Sequence, residues 1–239
     1  MRTVLIVKMG ETYPSLARRR GDFDDWITAR LGIASDSIRI VKPYTGETLP
    51  GLLQPAGVVV TGSHAMVTDQ EDWSEDTAVW LSRIVDAQIP LLGICYGHQL
   101  LAHAMGGIVG NNPLGSEFGT VDVRLTEHAA RDRLFADLPP VVRVQACHTQ
   151  SVLALPPEAK LLAYNDRDPH HAFSVGASAW GVQFHPEFDA DIMDFYLKAC
   201  DDSLLAEGFA PERLVEAAEN TQYGTELLGR FGKIINESG

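Results

Sequence analysis

The sequence predicts an α/β fold with an open, mostly parallel central sheet and helices on both of its faces. Short apolar runs alternate with helical patterns in the first part of the chain, an order typical of parallel strands joined by helices. One of these runs, at residues 90–94, leads to a cysteine between two glycines, which is the pattern of a sharp turn from a strand into a helix. A chain of 239 residues with 45% hydrophobic content also suits one compact core.

The strands of the parallel part are predicted from short apolar runs, a composition typical of strands that are buried on both faces. These runs lie at residues 3–7, 38–41, 57–61 and 90–94. The acidic segment 72–76 predicts a helix start, because negative charge is favourable at a helix N terminus, and this helix continues to about residue 87. A second helix is expected over residues 97–106, where Gly106 and Gly107 end it.

The second half of the chain predicts shorter strands, separated by turns rich in Pro, Gly, Asp and Asn. These β-like runs lie at 121–125, 141–145, 161–163 and 179–184, and helices are expected at 189–200 and within 211–235. We expect residues 1–200 to form the main domain. Residues 201–239 carry apolar positions at helical spacing but no functional motif, so we expect a helical extension packed on the same domain.

Cys95 is the candidate nucleophile. It lies in Gly93-Ile94-Cys95-Tyr96-Gly97, directly after an apolar run, which is the layout of a nucleophile elbow. Glycine at both flanking positions avoids a Cβ that would crowd such a turn. The N terminus of the following helix would stabilise the thiolate, which is the reactive form of the side chain.

His185 and Glu187 are the candidate base and its carboxylate partner. They are two residues apart, and Pro186 favours an extended conformation at His185, so both side chains are expected to point to the same side. A lone cysteine or a lone histidine is more often a structural core residue. The occurrence of both motifs in one chain instead favours a Cys-His-Glu arrangement for acyl transfer.

The segments GICYGHQ (93–99) and GVQFHPEF (181–188) resemble the signature of the class I glutamine amidotransferases. Further similar segments follow the family's order at 57–63, 100–107, 115–119 and 148–152, so the resemblance covers about residues 1–200. It implies a flavodoxin-like fold and a triad of Cys95, His185 and Glu187 that releases ammonia from glutamine.

The resemblance also implies a set of binding residues. The oxyanion would be bound by the backbone N–H of Tyr96 and by that of Gly62 or Ser63, although this loop departs from the usual Gly-Gly-Pro pattern. Glutamine's α-amino and α-carboxylate groups would be held by Gln99, Glu117 or Gly119, and the backbone at Thr149 and Gln150. No metal and no cofactor are expected, since the three cysteines lack the spacing of a zinc site.

Three functions remain open on the sequence alone. The first is hydrolysis of L-glutamine, with the ammonia passing to a partner synthetase; the segments are similar to the glutaminase part of GMP synthase, but no ATP-pyrophosphatase region is recognisable. The second is a γ-glutamyl peptidase or hydrolase that uses the same triad on a γ-glutamyl compound. The third is a catalytically silent regulatory or binding subunit, which the intact triad argues against.

The net charge argues against some classes of binding partner, and the cysteine content indicates the cellular compartment. A formal net charge of −13 argues against nucleic acid or an anionic membrane as the main partner. Three cysteines are an odd number and predict no disulfide framework, and no signal peptide is recognisable, so a cytoplasmic location is expected.

Overall fold

A long mixed sheet runs through the middle of the protein in the computed structural model, which describes residues 3–51 and 55–238. The strands are β1 (Thr3–Val7), β2 (Ile38–Val41), β3 (Pro55–Val60), β4 (Leu91–Ile94), β5 (Ile108–Asn111), β6 (Glu117–Leu125), β7 (Val141–His148), β8 (Gln150–Ala154), β9 (Lys160–Tyr164), β10 (Ala172–Val175) and β11 (Ala179–Val182). The helices are α1 (Pro14–Arg20), α2 (Phe23–Leu31), α3 (Asp72–Asp86), α4 (Tyr96–Ala104), α5 (Ala190–Ala199), α6 (Asp201–Ala206), α7 (Pro211–Ala217) and α8 (Gln222–Ser238).

The order of strands in the main sheet is β2-β1-β3-β4-β11-β10-β9-β6-β7. The first five of these strands are parallel, and the rest pair antiparallel. β5 and β8 form a separate antiparallel pair. The predicted open α/β sheet is therefore confirmed, and the carboxyl ends of its parallel strands meet at one edge, where α/β proteins build their sites.

Helices cover both faces of this sheet, as expected. α3 and α4 pack on one face, and α2 and α8 pack on the other. The apolar side of α8 includes Phe231 and Ile235 and is buried in the same cluster as the central strands. Gly57 of β3 permits this approach, because a Cβ there would lie 2.5 Å from Cγ1 of Ile235.

A third apolar cluster joins α1 and α2 to α5, α6 and α7. It includes Leu16, Phe188, Ile192 and Leu204, so the helices after residue 200 share a core with the rest of the chain. Among the helices of the described residues, none is both long enough and apolar enough to cross a bilayer.

Candidate active site

Cys95 occupies the turn between β4 and α4. Its backbone has φ 50° and ψ −100°, a conformation that residues with a Cβ rarely adopt. The Cys95 N–H donates to the carbonyl of Val182 on the neighbouring strand at 2.8 Å, which holds the turn in place. Backbone strain of this kind is typical of a nucleophile elbow, where the reactive side chain is lifted above the sheet.

The two glycines around Cys95 are required by close packing. A Cβ on Gly97 would lie 2.5 Å from the carbonyl oxygen of Val60 in β3. A Cβ on Gly93 would overlap the carbonyl group of Gly97. Only glycine at both positions therefore allows α4 to begin directly over the parallel strands.

His185 and Glu187 lie beside this turn. His185 Nδ1 donates to Glu187 Oε1 at 2.8 Å, and both side chains are buried. The imidazole stacks on Phe188, with 4.1 Å between the ring centroids. Gly62 lies next to both candidate groups, since a Cβ there would lie 2.9 Å from His185 Cε1 and 3.7 Å from Cys95 Cβ. The structure thus brings Cys95, His185 and Glu187 into one cluster.

The charge of His185 is set by opposing effects. Burial disfavours the imidazolium, but the Glu187 carboxylate and the Cys95 side chain outweigh it and raise the pKa of His185 to about 10. His185 is then protonated at neutral pH in the free protein.

The loop after β3 carries Gly62 and Ser63, the two residues predicted as further oxyanion donors. The Thr61 hydroxyl donates to the Gly62 carbonyl at 2.8 Å and accepts from the N–H of Met9 at 3.0 Å. Because a peptide N–H points away from its C=O, this bond turns the Ser63 N–H away from Thr61. Of the two predicted donors in the loop, Ser63 lines the cavity beside Cys95, whereas Gly62 is not among its lining residues.

A cavity of about 320 Å³ opens above Cys95. Its lining includes six of the residues predicted from the sequence: Ser63, Cys95, Tyr96, Gln99, Thr149 and Gln150. Gln99 is held by two bonds from Nε2, to the Gln150 carbonyl at 2.8 Å and to Gln183 Oε1 at 3.0 Å. A glutamine-sized ligand could contact these groups and the sulfur together.

Glu117 and Gly119 do not line this cavity. Glu117 Oε2 accepts from His171 Nε2 at 2.6 Å and from His148 Nε2 at 3.2 Å, and Oε1 accepts from Asn165 Nδ2 at 2.7 Å. Although burial opposes it, these two histidines hold the pKa of Glu117 well below its ordinary value. Its carboxylate is therefore engaged behind the cavity wall, where it supports His148, a residue that does line the cavity.

The same three side chains form the one group of metal-ligating type found among the described residues. One ligand atom from each of Glu117, His148 and His171 lies within 4.8 Å of the others. Hydrogen bonds between the carboxylate and both imidazoles already account for this arrangement.

Several cavity residues were not predicted from the sequence. The wall includes Met66, Phe118 and Cys147, and the segment after residue 199 adds Cys200 and Glu207. Glu207 accepts from the Ser116 hydroxyl at 2.9 Å. These residues come from distant parts of the chain and share no motif, so their common location becomes visible only in the fold.

The chain matches the family model for glutamine amidotransferase class-I over residues 23–198. It belongs to the class I glutamine amidotransferase family. The matched region contains the elbow, the histidine and the glutamate described above.

Three curated relatives illustrate the range of the family. The chain is 34% identical over 200 residues to a glutamine-hydrolysing GMP synthase of Aeropyrum pernix, covering 81% of this chain and 35% of that protein. It is 33% identical to one subunit of the glutamine-hydrolysing GMP synthase of Pyrococcus furiosus, covering 73% of this chain and 90% of that subunit. It is 29% identical to gamma-glutamyl peptidase 4 of Arabidopsis thaliana, covering 84% and 78%. The chain thus spans about a third of the Aeropyrum enzyme.

The fold is also found in a solved structure. A glutamine amidotransferase from Thermotoga maritima superimposes with a TM-score of 0.71 at 22% identity, covering 100% of this chain and 99% of that chain.

Proposed function

We propose that this protein hydrolyses the side-chain amide of L-glutamine through a γ-glutamyl thioester on Cys95. The observation that carries the proposal is the position of Cys95 in a strained turn at the cavity floor, beside the His185–Glu187 pair. This combination is the one that cysteine-dependent acyl transfer requires. A catalytically silent protein would not need it.

In the proposed reaction, the Cys95 sulfur attacks the γ-carbonyl carbon and forms the S–C bond. His185, which holds the proton that left the thiol, protonates the leaving amine, and the amide C–N bond breaks to release ammonia. Water then attacks the thioester carbonyl carbon while His185 takes its proton, the C–S bond breaks, and glutamate leaves with Cys95 restored as a thiolate beside protonated His185. Glu187 keeps the imidazole oriented and stabilises its charged form.

The oxyanion of each tetrahedral intermediate would accept hydrogen bonds from the backbone N–H groups of Tyr96 and Ser63. Gln99 and the backbone at Thr149 and Gln150 would bind the α-amino and α-carboxylate groups. Glu117 would act behind them through His148, and Gly119, which lies under Leu214, would have no direct contact with substrate.

A second candidate is hydrolysis of γ-glutamyl peptides by the same groups. The apolar wall formed by Met66, Phe118 and Cys147 supports it, because a leaving group larger than ammonia would contact this surface. The similarity to a plant gamma-glutamyl peptidase is consistent with this candidate.

If glutamine is the substrate, we further propose that the ammonia passes to a synthetase on another chain. The similarity to a GMP synthase subunit of Pyrococcus furiosus, over most of that subunit's length, supports this arrangement. A cytoplasmic location fits the three cysteines, all of which are unpaired.

The decisive experiment measures glutamate release by the purified protein from L-glutamine, γ-glutamyl dipeptides and glutathione. Cys95→Ala removes the nucleophile and is expected to abolish release from every substrate, with an unchanged circular dichroism spectrum. Cys147→Ala is the matched control, since it removes a second cavity thiol that lies outside the triad. Turnover that survives in Cys95→Ala would refute the assignment of the nucleophile.

A further inference from the structure

A buried chain of hydrogen bonds leads from the substrate-binding wall to the sulfur of Cys95. The carbonyl of Gln150 accepts from Gln99 Nε2 at 2.8 Å, and Gln183 Oε1 accepts from the same nitrogen at 3.0 Å. Gln183 Nε2 then lies 3.5 Å from Cys95 Sγ. Gln183 is completely buried, and it has no role in the proposed mechanism above.

Which amide atoms donate and which accept in this series of hydrogen bonds follows from the chemistry of the groups involved. A backbone carbonyl can only accept, so the end of Gln99 that faces Gln150 must be its NH₂ group. The atom of Gln183 that faces this NH₂ group must in turn be its oxygen. The NH₂ group of Gln183 is therefore directed at the sulfur, and the network itself rules out the flipped amide.

We propose that Gln183 is a catalytic residue whose amide N–H stabilises the thiolate of Cys95. A hydrogen bond to a charged acceptor is stronger than one to a neutral acceptor, so the donor favours the thiolate over the thiol. This bond adds to the helix N terminus and to the imidazolium of His185. The inference rests on the proposed function, because it assumes that Cys95 is the nucleophile.

The same chain links substrate binding to the reacting atom. Gln99 lines the cavity and orients Gln183, and Gln183 contacts the sulfur. Any displacement of Gln99 would therefore alter the donor to Cys95. Buried networks of this type act as a unit, so single changes within them are not additive.

The test measures how fast iodoacetamide alkylates Cys95 as a function of pH, with the modified peptide quantified by mass spectrometry. Gln183→Met keeps the volume of the side chain but removes the donor. Gln183→Glu keeps the shape but places a carboxylate beside the sulfur. In both variants we expect the midpoint of the pH dependence to rise by about one to two pH units, equivalent to a ten- to hundredfold loss of thiolate below the midpoint.

Gln145→Met is the matched control. Gln145 is also a completely buried glutamine, but its side chain bonds Thr120 and the carbonyl of Glu219 instead of the sulfur. We expect the wild-type midpoint in this variant. If either Gln183 variant fails to fold, Gln99→Met replaces it, and a smaller upward shift is expected because the donor loses its orientation.

An unchanged midpoint in the folded Gln183 variants would overturn the proposal, and so would an equal shift in Gln145→Met. Alkylation needs no substrate turnover. A shifted midpoint in a protein that does not hydrolyse glutamine would therefore refute the proposed function but leave intact the hydrogen bond from Gln183 to the thiolate of Cys95.

Discussion

At the scale of single residues, the charge of His185 depends on the Glu187 carboxylate and the Cys95 side chain. Glu187 is completely buried, and its Oε1 holds the imidazole at 2.8 Å. Burial alone would lower the pKa of His185, whereas its pKa is raised to about 10. The Glu187 carboxylate therefore acts together with Cys95 to offset the burial of the imidazolium.

Glu187→Gln is expected to reduce glutamine hydrolysis by about 10³- to 10⁴-fold, the order seen when a triad loses its orienting carboxylate.

The raised pKa of His185 also stabilises the fold. This contribution is complete below the unfolded pKa of about 6.5 and is lost as the pH rises through about 10. As the pH rises from about 6.5 to about 10, the free energy of unfolding should therefore fall less in Glu187→Gln than in the wild type.

Thermal unfolding at several pH values, together with the rate of glutamate release, checks this prediction. Glu158→Gln, in the turn before β9, is the surface control and should behave as the wild type. A Glu187→Gln variant with wild-type activity would contradict the role given to Glu187.

The sequence predicted the candidate triad and five other residues that line the cavity, Ser63, Tyr96, Gln99, Thr149 and Gln150, but not the remainder of the cavity wall. His185 and Glu187 are neighbours in the chain, so local geometry determines their contact. Glu117 was expected at the substrate, but its partners His148 and His171 lie 31 and 54 residues away, and they turn its carboxylate into the interior. Long-range contacts of this type leave no pattern in a single sequence.

At the scale of elements, the elbow depends on the approach of α4 to β3. The strands of the parallel half were predicted closely, since each is a short and mostly apolar run. β5, β8 and β10 were not predicted as separate strands. The small β5–β8 sheet is therefore known only from the strand pairing in the structure.

Gly97→Ala is expected to destabilise the protein by about 1–3 kcal/mol, because the new Cβ would overlap the backbone of Val60. The displaced helix would also move Tyr96 and reduce the rate of glutamate release. Gly229→Ala in α8 is the matched control, since the nearest atom to its Cβ would be 3.9 Å away. That change should be neutral or slightly stabilising in a helix.

Chemical denaturation of both variants measures these differences. Equal destabilisation by the two substitutions would show that a helical glycine as such, and not the contact with Val60, determines the effect.

At the scale of the whole molecule, helices after residue 200 share apolar clusters with earlier parts of the chain. α8 shares a core with the central strands, and Glu207, which follows α6, lies on the cavity wall. The sequence predicted the packing of this segment from its apolar spacing but gave no sign that it reaches the cavity. This part of the cavity wall would contact either proposed substrate, glutamine or a γ-glutamyl peptide.

The central claim is that Cys95 carries a γ-glutamyl thioester during turnover. The most direct measurement is intact-protein mass spectrometry after acid quenching of a reaction with L-glutamine, followed by peptide mapping. We expect a mass increase of one γ-glutamyl group on the peptide that contains Cys95, and none in Cys95→Ala. Glutamate release without any adduct, or an adduct on Cys147 or Cys200, would contradict the account.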